Sequence, residues 1–300
     1  MPRPPQIEVA VDVNDRCGEG PVWDFTRQRL IWTDIEGQTV HQFTPRTGET
    51  VVLNRGLSVS GIGLNRTGEL VFAGAGGLQL WCAEQGNRSI VREYENEVLP
   101  FNDLIVGPGG RVYAGTIYWG PNGMEKPGRL YLIERDDSVR VVDEGIELAN
   151  GLGFSPDDRT LYFTDSAART IYAYDVRSDT GELLNKRVFV SVPREEGIPD
   201  GLTVDNDGFV WSAQWYGAQV VRYDTDGAVE RRIALPVRQV SSVTFGGEDL
   251  TDLYITTAGE PWSSQLAPPG YDYDTGPTGG PLFRVRLDVQ GKPEHAAEFS

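Results

Sequence analysis

One strand motif recurs six times along this chain of 300 residues. Each copy is a short apolar strand, a turn rich in Gly, Asp and Pro, and a second strand rich in the β-branched and aromatic residues that strands favour. The copies begin about 41 to 50 residues apart, near Glu19, Ser60, Asn102, Asn150, Asp200 and Ser242. This period is typical of a β-propeller, whereas a two-sheet sandwich gives no reason for one motif to repeat. The sequence therefore predicts an all-β fold, a six-bladed β-propeller with four-stranded antiparallel blades.

The rest of the sequence suits one closed ring of blades. No segment keeps the i, i+3, i+4, i+7 apolar spacing of an amphipathic helix for three turns. We expect the strand at residues 7–13 to join the last blade, because joining the two ends of the chain leaves no sheet edge open. Residues 1–300 then form a single propeller domain.

Composition excludes several classes of function. The net charge of −17 disfavours binding to nucleic acid or to anionic membranes, which both recruit Lys and Arg. No apolar run approaches the ~18 residues of a membrane span. The first residues show no apolar region of a secretory signal, so we expect a cytoplasmic location. The acidic composition favours a monomer.

The two histidines, His41 and His295, lie near opposite ends of the chain. Neither accompanies a G-x-S-x-G motif, and H-E-x-x-H and the P-loop motif are absent from the sequence. We expect both histidines on a strand surface or on the tail. Any chemistry must then use carboxylates, amides or a metal.

The residues that begin the repeats are predicted to meet at one mouth of the central channel, because the first strand of each propeller blade lines that channel. They are Glu19, Ser60, Asn102, Asn150, Asp200 and Ser241 or Ser242. Two converging carboxylates without Lys or Arg repel each other unless a cation lies between them. Oxygen donors without His or Cys favour Ca²⁺, Mg²⁺ or Mn²⁺ over Zn²⁺. The alternative is that Asn and Asp stand here because they favour turns.

The same segments resemble a known family. Residues 17–23 (CGEGPVW), 101–103 (FND), 149–152 (ANGL) and 198–202 (IPDGL) are similar to motifs of the SMP-30/gluconolactonase (regucalcin-like) family, and the likeness covers essentially the whole chain. The resemblance implies a propeller with one divalent metal in its channel, Ca²⁺ first and Mg²⁺, Mn²⁺, Fe²⁺ or Zn²⁺ as alternatives. It also implies hydrolysis of a sugar lactone. It assigns Glu19, Asn150 and Asp200 as metal ligands, Asn102 as a substrate-binding amide, and Asp200 also as the catalytic base.

Two positions depart from the family pattern. Pro100 stands where the sugar-binding members often carry an arginine, and Gly120 lies in the loop where some carry a glutamate. The substrate is therefore a sugar lactone or, alternatively, a non-sugar lactone or another ester. A cation-binding propeller without hydrolytic activity is a third interpretation.

Aromatic residues are concentrated in the segments that we expect near the channel mouth. Tyr118, Trp119 and Trp215 are candidate substrate-binding residues, since aromatic faces stack on sugar rings. The alternative for the tryptophans is packing within the blades. Residues 259–280 form a long segment rich in Pro, Gly and Tyr, and we hypothesise that this segment reaches over the mouth as a lid.

Overall fold

The computed structural model describes residues 6–120 and 122–300. Within these residues, six sheets of four antiparallel strands follow one another along the chain, and no α-helix is present. Two short 3₁₀ helices occur, at Pro108–Gly110 and Arg194–Glu196. The predicted six-bladed β-propeller is confirmed. Over the described ranges, no helix is long and apolar enough to cross a membrane.

The blades are numbered in chain order, and the strands of each are given from the channel outwards. Blade 1 consists of Gly18–Asp24, Arg29–Asp34, Thr39–Thr44 and Glu49–Arg55. Blade 2 consists of Val59–Asn65, Leu70–Gly74, Gly77–Cys82 and Gly86–Val91. Blade 3 consists of Phe101–Val106, Val112–Thr116, Gly128–Ile133 and Val139–Ile146.

The second half of the ring has the same organisation. Blade 4 consists of Ala149–Phe154, Thr160–Asp165, Thr170–Val176 and Leu183–Ser191. Blade 5 consists of Ile198–Val204, Val210–Trp215, Gln219–Tyr223 and Val229–Ala234. Blade 6 consists of Val240–Gly246, Asp252–Thr257, Leu282–Arg286 and Ile7–Val11. Two small hairpins pair Glu93–Tyr94 with Glu97–Val98 and Trp119–Gly120 with Gly123–Met124.

The ring closes in blade 6, as the sequence predicts. Ile7–Val11 pairs antiparallel with Leu282–Arg286, so both ends of the chain share one sheet. The strand ends at Val11, two residues before the predicted boundary. Each inner strand packs against the inner strands of both neighbouring blades, and that of blade 6 packs against that of blade 1.

Large aromatic side chains fill the space between neighbouring blades. Trp32 and Trp211, on second strands, are fully buried, and Trp23 stacks on Tyr254 between blades 1 and 6 with ring centroids 5.8 Å apart. The predicted β-branched and aromatic strands therefore form the core. Truncating one of these rings to Ala costs about 3–5 kcal/mol of stability.

Every inner strand carries an irregularity near its first residues. The strand register shifts between Glu19 and Val22, Val59 and Gly61, Phe101 and Asp103, Ala149 and Leu152, Pro199 and Leu202, and Val240 and Ser242. Such β-bulges leave a residue unpaired and re-aim its side chain. The residues that begin the repeats thus lie beside or within a bulge, at the channel mouth.

The C-terminal segment closes the opposite end of the channel. Ala296–Ala297 pairs parallel with the last residues of Val59–Asn65. The buried Asn65 side chain accepts a hydrogen bond from the Phe299 amide (3.1 Å) and donates one to the Phe299 carbonyl oxygen (3.0 Å). The channel is therefore open at the mouth and covered at the far end.

The expected surface position is wrong for His41. Its ring is buried, stacks on Trp32 with centroids 4.9 Å apart, and places Nε2 3.2 Å from Asp15 Oδ1. Stacking on the buried Trp32 ring is the contact that draws the imidazole into the blade. His295 lies on the C-terminal segment, with Nε2 2.8 Å from Asp158 Oδ1.

Candidate active site

A pocket of about 410 Å³ opens at the channel mouth, where the inner strands begin. The inner-strand polar residues that line it, here called the polar floor, are Glu19, Asn102, Asn150 and Asp200. The side chains of its apolar wall are Ile35, Ile117, Leu148, Ile198 and Trp215. Its exposed rim includes Arg16, Glu36 and Glu260. The structure thus brings together the four residues with carboxylate or amide side chains that begin repeats.

The serines that begin the other two repeats do not line this pocket. Ser60 Oγ donates to the Phe101 carbonyl oxygen (2.8 Å), and Ser241 Oγ donates to the Gly18 carbonyl oxygen (2.5 Å). Each hydroxyl therefore joins its inner strand to the inner strand of a neighbouring blade.

The two asparagines of the polar floor orient each other. Asn102 Nδ2 donates to Asn150 Oδ1 (2.8 Å) and to the Ala149 carbonyl oxygen (2.8 Å). Asn150 Nδ2 donates to Ser166 Oγ, which is fully buried (2.8 Å). Because both amide nitrogens are engaged on protein groups, the bulged backbone and Ser166 fix how these side chains stand in the pocket.

The two carboxylates of the polar floor lack compensating charge. Asp200 Oδ1 is buried and has no hydrogen-bond partner in the described part of the chain, and Glu19 Oε2 accepts one bond, from Gly20 N (2.9 Å). Burial and then the charge of Asp103 raise the pKa of Glu19 to about 8. Burial and then Glu19 and Asp103 raise the pKa of Asp200 well above its usual range. A bound proton or a cation would compensate the negative charge of these oxygens.

Asp103 is a third carboxylate of the channel, half-buried, that sequence reasoning missed. It lines a second cavity of about 60 Å³, deeper in the channel and beside His295. Burial raises the pKa of Asp103 to about 7, although Leu104 N donates to its Oδ1 (2.7 Å). Strand alternation points neighbours to opposite faces, but the bulge at Asn102 interrupts that alternation. The available signal was its position next to Asn102.

Carboxylates alone do not complete a metal site in this structure. Within residues 6–120 and 122–300, no group of three or more His, Cys, Asp or Glu is arranged to hold a metal ion. A cation on the polar floor would therefore need the amide oxygens as well as Glu19 and Asp200. This mixed oxygen set is of the kind that hard divalent cations take.

The predicted aromatic contacts occupy different places. Trp215 is buried and lines the pocket. Tyr118 does not line it: its hydroxyl donates to the Val98 carbonyl oxygen (3.3 Å), and Lys126 Nζ lies 4.1 Å from its ring centroid. Trp119 is also absent from the pocket lining and borders an adjoining cavity instead.

Residues 259–280 reach the pocket, as hypothesised from the sequence. Both ends of this segment are fastened to Asp15, whose carbonyl oxygen accepts from Gly259 N (2.9 Å) and whose amide donates to the Gly280 carbonyl oxygen (3.3 Å). Within it, Trp262 lines the pocket and packs against Trp215, with ring centroids 5.9 Å apart. Sequence reasoning did not single out Trp262, although its position in a long loop was a signal.

Comparison with known proteins places these features in a family. Residues 17–259 match the SMP-30/Gluconolactonase/LRE-like region. The chain is 38% identical over 289 residues to pentonolactonase XacC of Haloferax volcanii, covering 96% of this chain and 97% of that protein. It is 34% identical over 280 residues to the 6-deoxy-6-sulfogluconolactonase of Pseudomonas putida, covering 92% and 93%.

A solved structure agrees with the sequence relatives. Regucalcin from Agrobacterium tumefaciens, described as a calcium-binding protein, superposes with a TM-score of 0.84 at 26% identity over 96% of each chain. The fold and the relatives thus define a propeller enzyme, and the pocket at the channel mouth is its candidate active site. The chain belongs to the SMP-30/gluconolactonase/LRE-like family, which includes the two lactonases above.

Proposed function

We propose that this chain is a divalent-cation-dependent lactonase that hydrolyses a sugar lactone to the corresponding acid. The observation that carries the proposal is the polar floor, where two carboxylates and two amides line one pocket and Asp200 Oδ1 is buried without a hydrogen-bond partner among the described residues. The similarity to pentonolactonase XacC supports a lactone as substrate.

The chemistry of the polar floor fits a divalent cation. Glu19, Asn150 and Asp200 would hold it, since two carboxylates neutralise its charge and the amide adds a neutral oxygen. The raised pKa values of Glu19 and Asp200 support this assignment, because they reflect buried negative charge that no Lys or Arg on the floor offsets. Ca²⁺ is the first candidate, and Mg²⁺, Mn²⁺, Fe²⁺ and Zn²⁺ are the alternatives. When bound, such a cation polarises a lactone carbonyl and lowers the pKa of a neighbouring water.

We assign substrate binding and proton transfer to residues of the polar floor. The Asn102 amide binds the lactone and holds its carbonyl carbon beside Asp200. Asp200 takes the proton of the attacking water as the new C–O bond forms. The bond between the acyl carbon and the ring oxygen then breaks, and the ring oxygen takes up a proton to become the hydroxyl group of the acid product.

The pocket wall favours a neutral substrate. Arg16 is the cationic side chain in the lining formed by described residues, and it is already engaged: its Nε donates to Glu260 Oε2 (2.7 Å) and its Nη1 to the Glu36 carbonyl oxygen (2.9 Å). The apolar wall suits the C–H faces of a lactone ring. It equally suits a less hydroxylated ring, so a non-sugar lactone is the second candidate.

The test is proton release from aldonolactones and from simple non-sugar lactones, corrected for spontaneous hydrolysis. It compares the wild type, Asp200→Asn and Asp226→Asn, a control that changes an exposed turn carboxylate. We expect turnover to vanish on chelation, to return with one of the five cations, and to fall at least about 100-fold in Asp200→Asn only.

Two outcomes contradict the proposal. Turnover that survives complete chelation would remove the cation from the reaction. Cation binding, measured by calorimetry, without hydrolysis of any lactone would leave a binding protein. A preference for non-sugar lactones would replace the sugar substrate with the second candidate.

A further inference from the structure

A third cavity shares Trp262 with the pocket at the channel mouth. Its volume is about 270 Å³. Its principal side chains are Trp119, Asn122, Trp262, Ser263, Ser264 and Gln265. Trp262 lines both spaces, so a molecule seated on the polar floor and extending out of the mouth meets this cavity next.

The aromatic walls of this cavity are held in place by neighbouring groups. Trp119 Nε1 donates to the Glu147 carbonyl oxygen (2.7 Å), which fixes its ring outside the blade packing. Trp262 N donates to the buried Gln239 Oε1 (2.9 Å), and its ring stacks on Tyr216 with centroids 6.2 Å apart. A preformed cavity orders few groups on binding, which favours affinity.

The two indole rings form a corner. Their centroids lie 6.1 Å apart and their planes meet at 62° in a T-shaped contact, and both rings line the cavity. The hairpin that carries Trp119 approaches the loop at Gly123, where an added Cβ would lie 3.0 Å from Gln265 Nε2 and 3.9 Å from Trp119. Glycine therefore allows the hairpin and the loop to meet here.

The chemistry of the lining matches a neutral sugar. Indole faces pack on the C–H face of a pyranose ring, and amides and hydroxyls supply donors and acceptors for its hydroxyl groups. Among the described residues that line the cavity, none is charged. A hydrocarbon or aryl group would leave those polar groups without partners, which costs binding energy.

We propose that the cavity lined by Trp119 and Trp262 is an outer subsite for a neutral glycosyl group. The substrates of this protein then include glycosylated aldonolactones, with the lactone ring on the polar floor and the second sugar against Trp119. This inference rests on the proposed function and adds the substrate class to it. It also gives Trp119 a contact with substrate outside the main pocket.

The experiment compares two lactones that share one ring, gluconolactone and its 4-O-glucosyl derivative. The enzyme forms are wild type, Trp119→Ala, Trp119→Phe and Phe25→Ala, which removes an exposed aromatic side chain beyond the far end of the blade 1 inner strand. We expect a higher kcat/KM for the glucosylated lactone in the wild type. Trp119→Ala should lower that value alone about three- to tenfold, mainly through KM.

The other variants sharpen the result. Trp119→Phe should retain most of the preference because it keeps an aromatic face, and Phe25→Ala should not change it. Equal kcat/KM for both lactones in the wild type, or equal losses on both in Trp119→Ala, would overturn the subsite. A gain that is seen for alkyl-substituted lactones and not for the glucosylated one would overturn its assignment to sugars.

A separate measurement keeps the subsite distinguishable from the lactonase activity. Binding of the disaccharide acid to the cation-loaded protein is followed by calorimetry, which needs no turnover. If no lactone is hydrolysed, the proposed function fails, but weaker binding of this acid by Trp119→Ala than by wild type would still support the subsite. Equal binding by both forms would overturn it.

Discussion

Asp200 and Asp205 stand five residues apart on or just after the same channel-lining strand, Ile198–Val204, and both are buried. Asp205, at the far end, is ion-paired with Arg222, whose Nη2 lies 2.7 Å from Asp205 Oδ2, and accepts a hydrogen bond from Trp211 Nε1 (2.8 Å). Asp200, at the mouth, has carboxylates as its charged neighbours, and its Oδ1 accepts no hydrogen bond from residues 6–120 or 122–300. One strand thus carries a satisfied aspartate and an unsatisfied one.

The difference separates a carboxylate that stabilises the fold from one that we assign to the proposed active site. A buried carboxylate costs free energy unless it is paired and hydrogen-bonded. At the far end Asp205 has such partners, and Asn65 holds the chain terminus there. At the mouth, the charged groups that act on Glu19 and Asp200 are other carboxylates, including Asp103 from deeper in the channel. We infer that the carboxylates without compensating charge lie at the mouth because the proposed cation and substrate bind there.

The largest expected effect on stability comes from removing the charge of Asp205, the aspartate that is ion-paired. Asp205→Asn should lower the free energy of unfolding by about 3 kcal/mol, because a neutral amide replaces the carboxylate that accepts from Arg222 and Trp211 in a buried site, although Arg222 keeps its ion pairs with Asp207 and Glu230. Asp200→Asn should leave the stability of the metal-free protein unchanged or raise it. Urea unfolding followed by tryptophan fluorescence measures both. The double variant Asp205→Asn with Arg222→Met should regain part of the loss, and equal destabilisation by the two aspartate variants would contradict the comparison.

The carboxylates without basic partners should make the stability of the protein depend on pH. The folded-state pKa values are raised to about 8 for Glu19 and about 7 for Asp103, so above the ordinary values near 4.5 and 3.8 the folded protein holds protons that the unfolded chain has lost. Stability of the metal-free protein should therefore fall continuously as the pH rises from 5 to 8. Unfolding at a series of pH values checks the slope.

Two controls test the origin of that slope. The variant that combines Glu19→Gln with Asp103→Asn should make it shallower, because two of the groups that hold protons in the folded state are gone and Asp200 remains. Saturating Ca²⁺ should flatten it in the wild type, since the cation stabilises the ionised carboxylates. A slope that is unchanged in both cases would assign the pH dependence to other groups.

The far end should contribute to stability without contributing to turnover. Asn65→Ala leaves the amide and carbonyl of Phe299 without their partners, so the free energy of unfolding should fall by about 2 kcal/mol. The kcat/KM for the best lactone should not change, because Asn65 lies at the opposite end of its inner strand from the polar floor. Asn87→Ala, an exposed position, is the control. Loss of turnover at full folding would show that the far end acts on the site.

The repeat in the sequence predicts the blades because each repeat encodes a local strand pair. It also predicts that Glu19, Asn102, Asn150 and Asp200 meet, since residues at one phase of a ring of repeats share one mouth. The repeat does not predict which of the polar residues that begin the repeats face the pocket. Ser60 has the same phase, but its hydroxyl bonds to a neighbouring strand.

The features that the sequence does not predict depend on contacts between distant segments. Asp103 faces the channel because a bulge at Asn102 interrupts the strand alternation. Trp262 lines the pocket because its loop is fastened at Asp15, which is more than 240 residues away. Neither position follows from a local pattern of residue types, so a three-dimensional structure is needed to find them.

The smallest expected effect concerns the residue that orients a member of the polar floor. Ser166→Ala removes the acceptor of Asn150 Nδ2, so the amide can rotate and present nitrogen instead of oxygen to a cation. Loss of such an orienting contact typically weakens metal binding by about tenfold or somewhat more. Calorimetric titration of the metal-free protein with Ca²⁺ measures the affinity, and Ser155→Ala, at the far end of the same blade, is the matched control. Because Ser166 touches no substrate, kcat at saturating cation should stay near the wild-type value. If Ser166→Ala binds the cation as tightly as the wild type does, Asn150 is not a ligand, and its contact with Asn102 becomes its role on the floor.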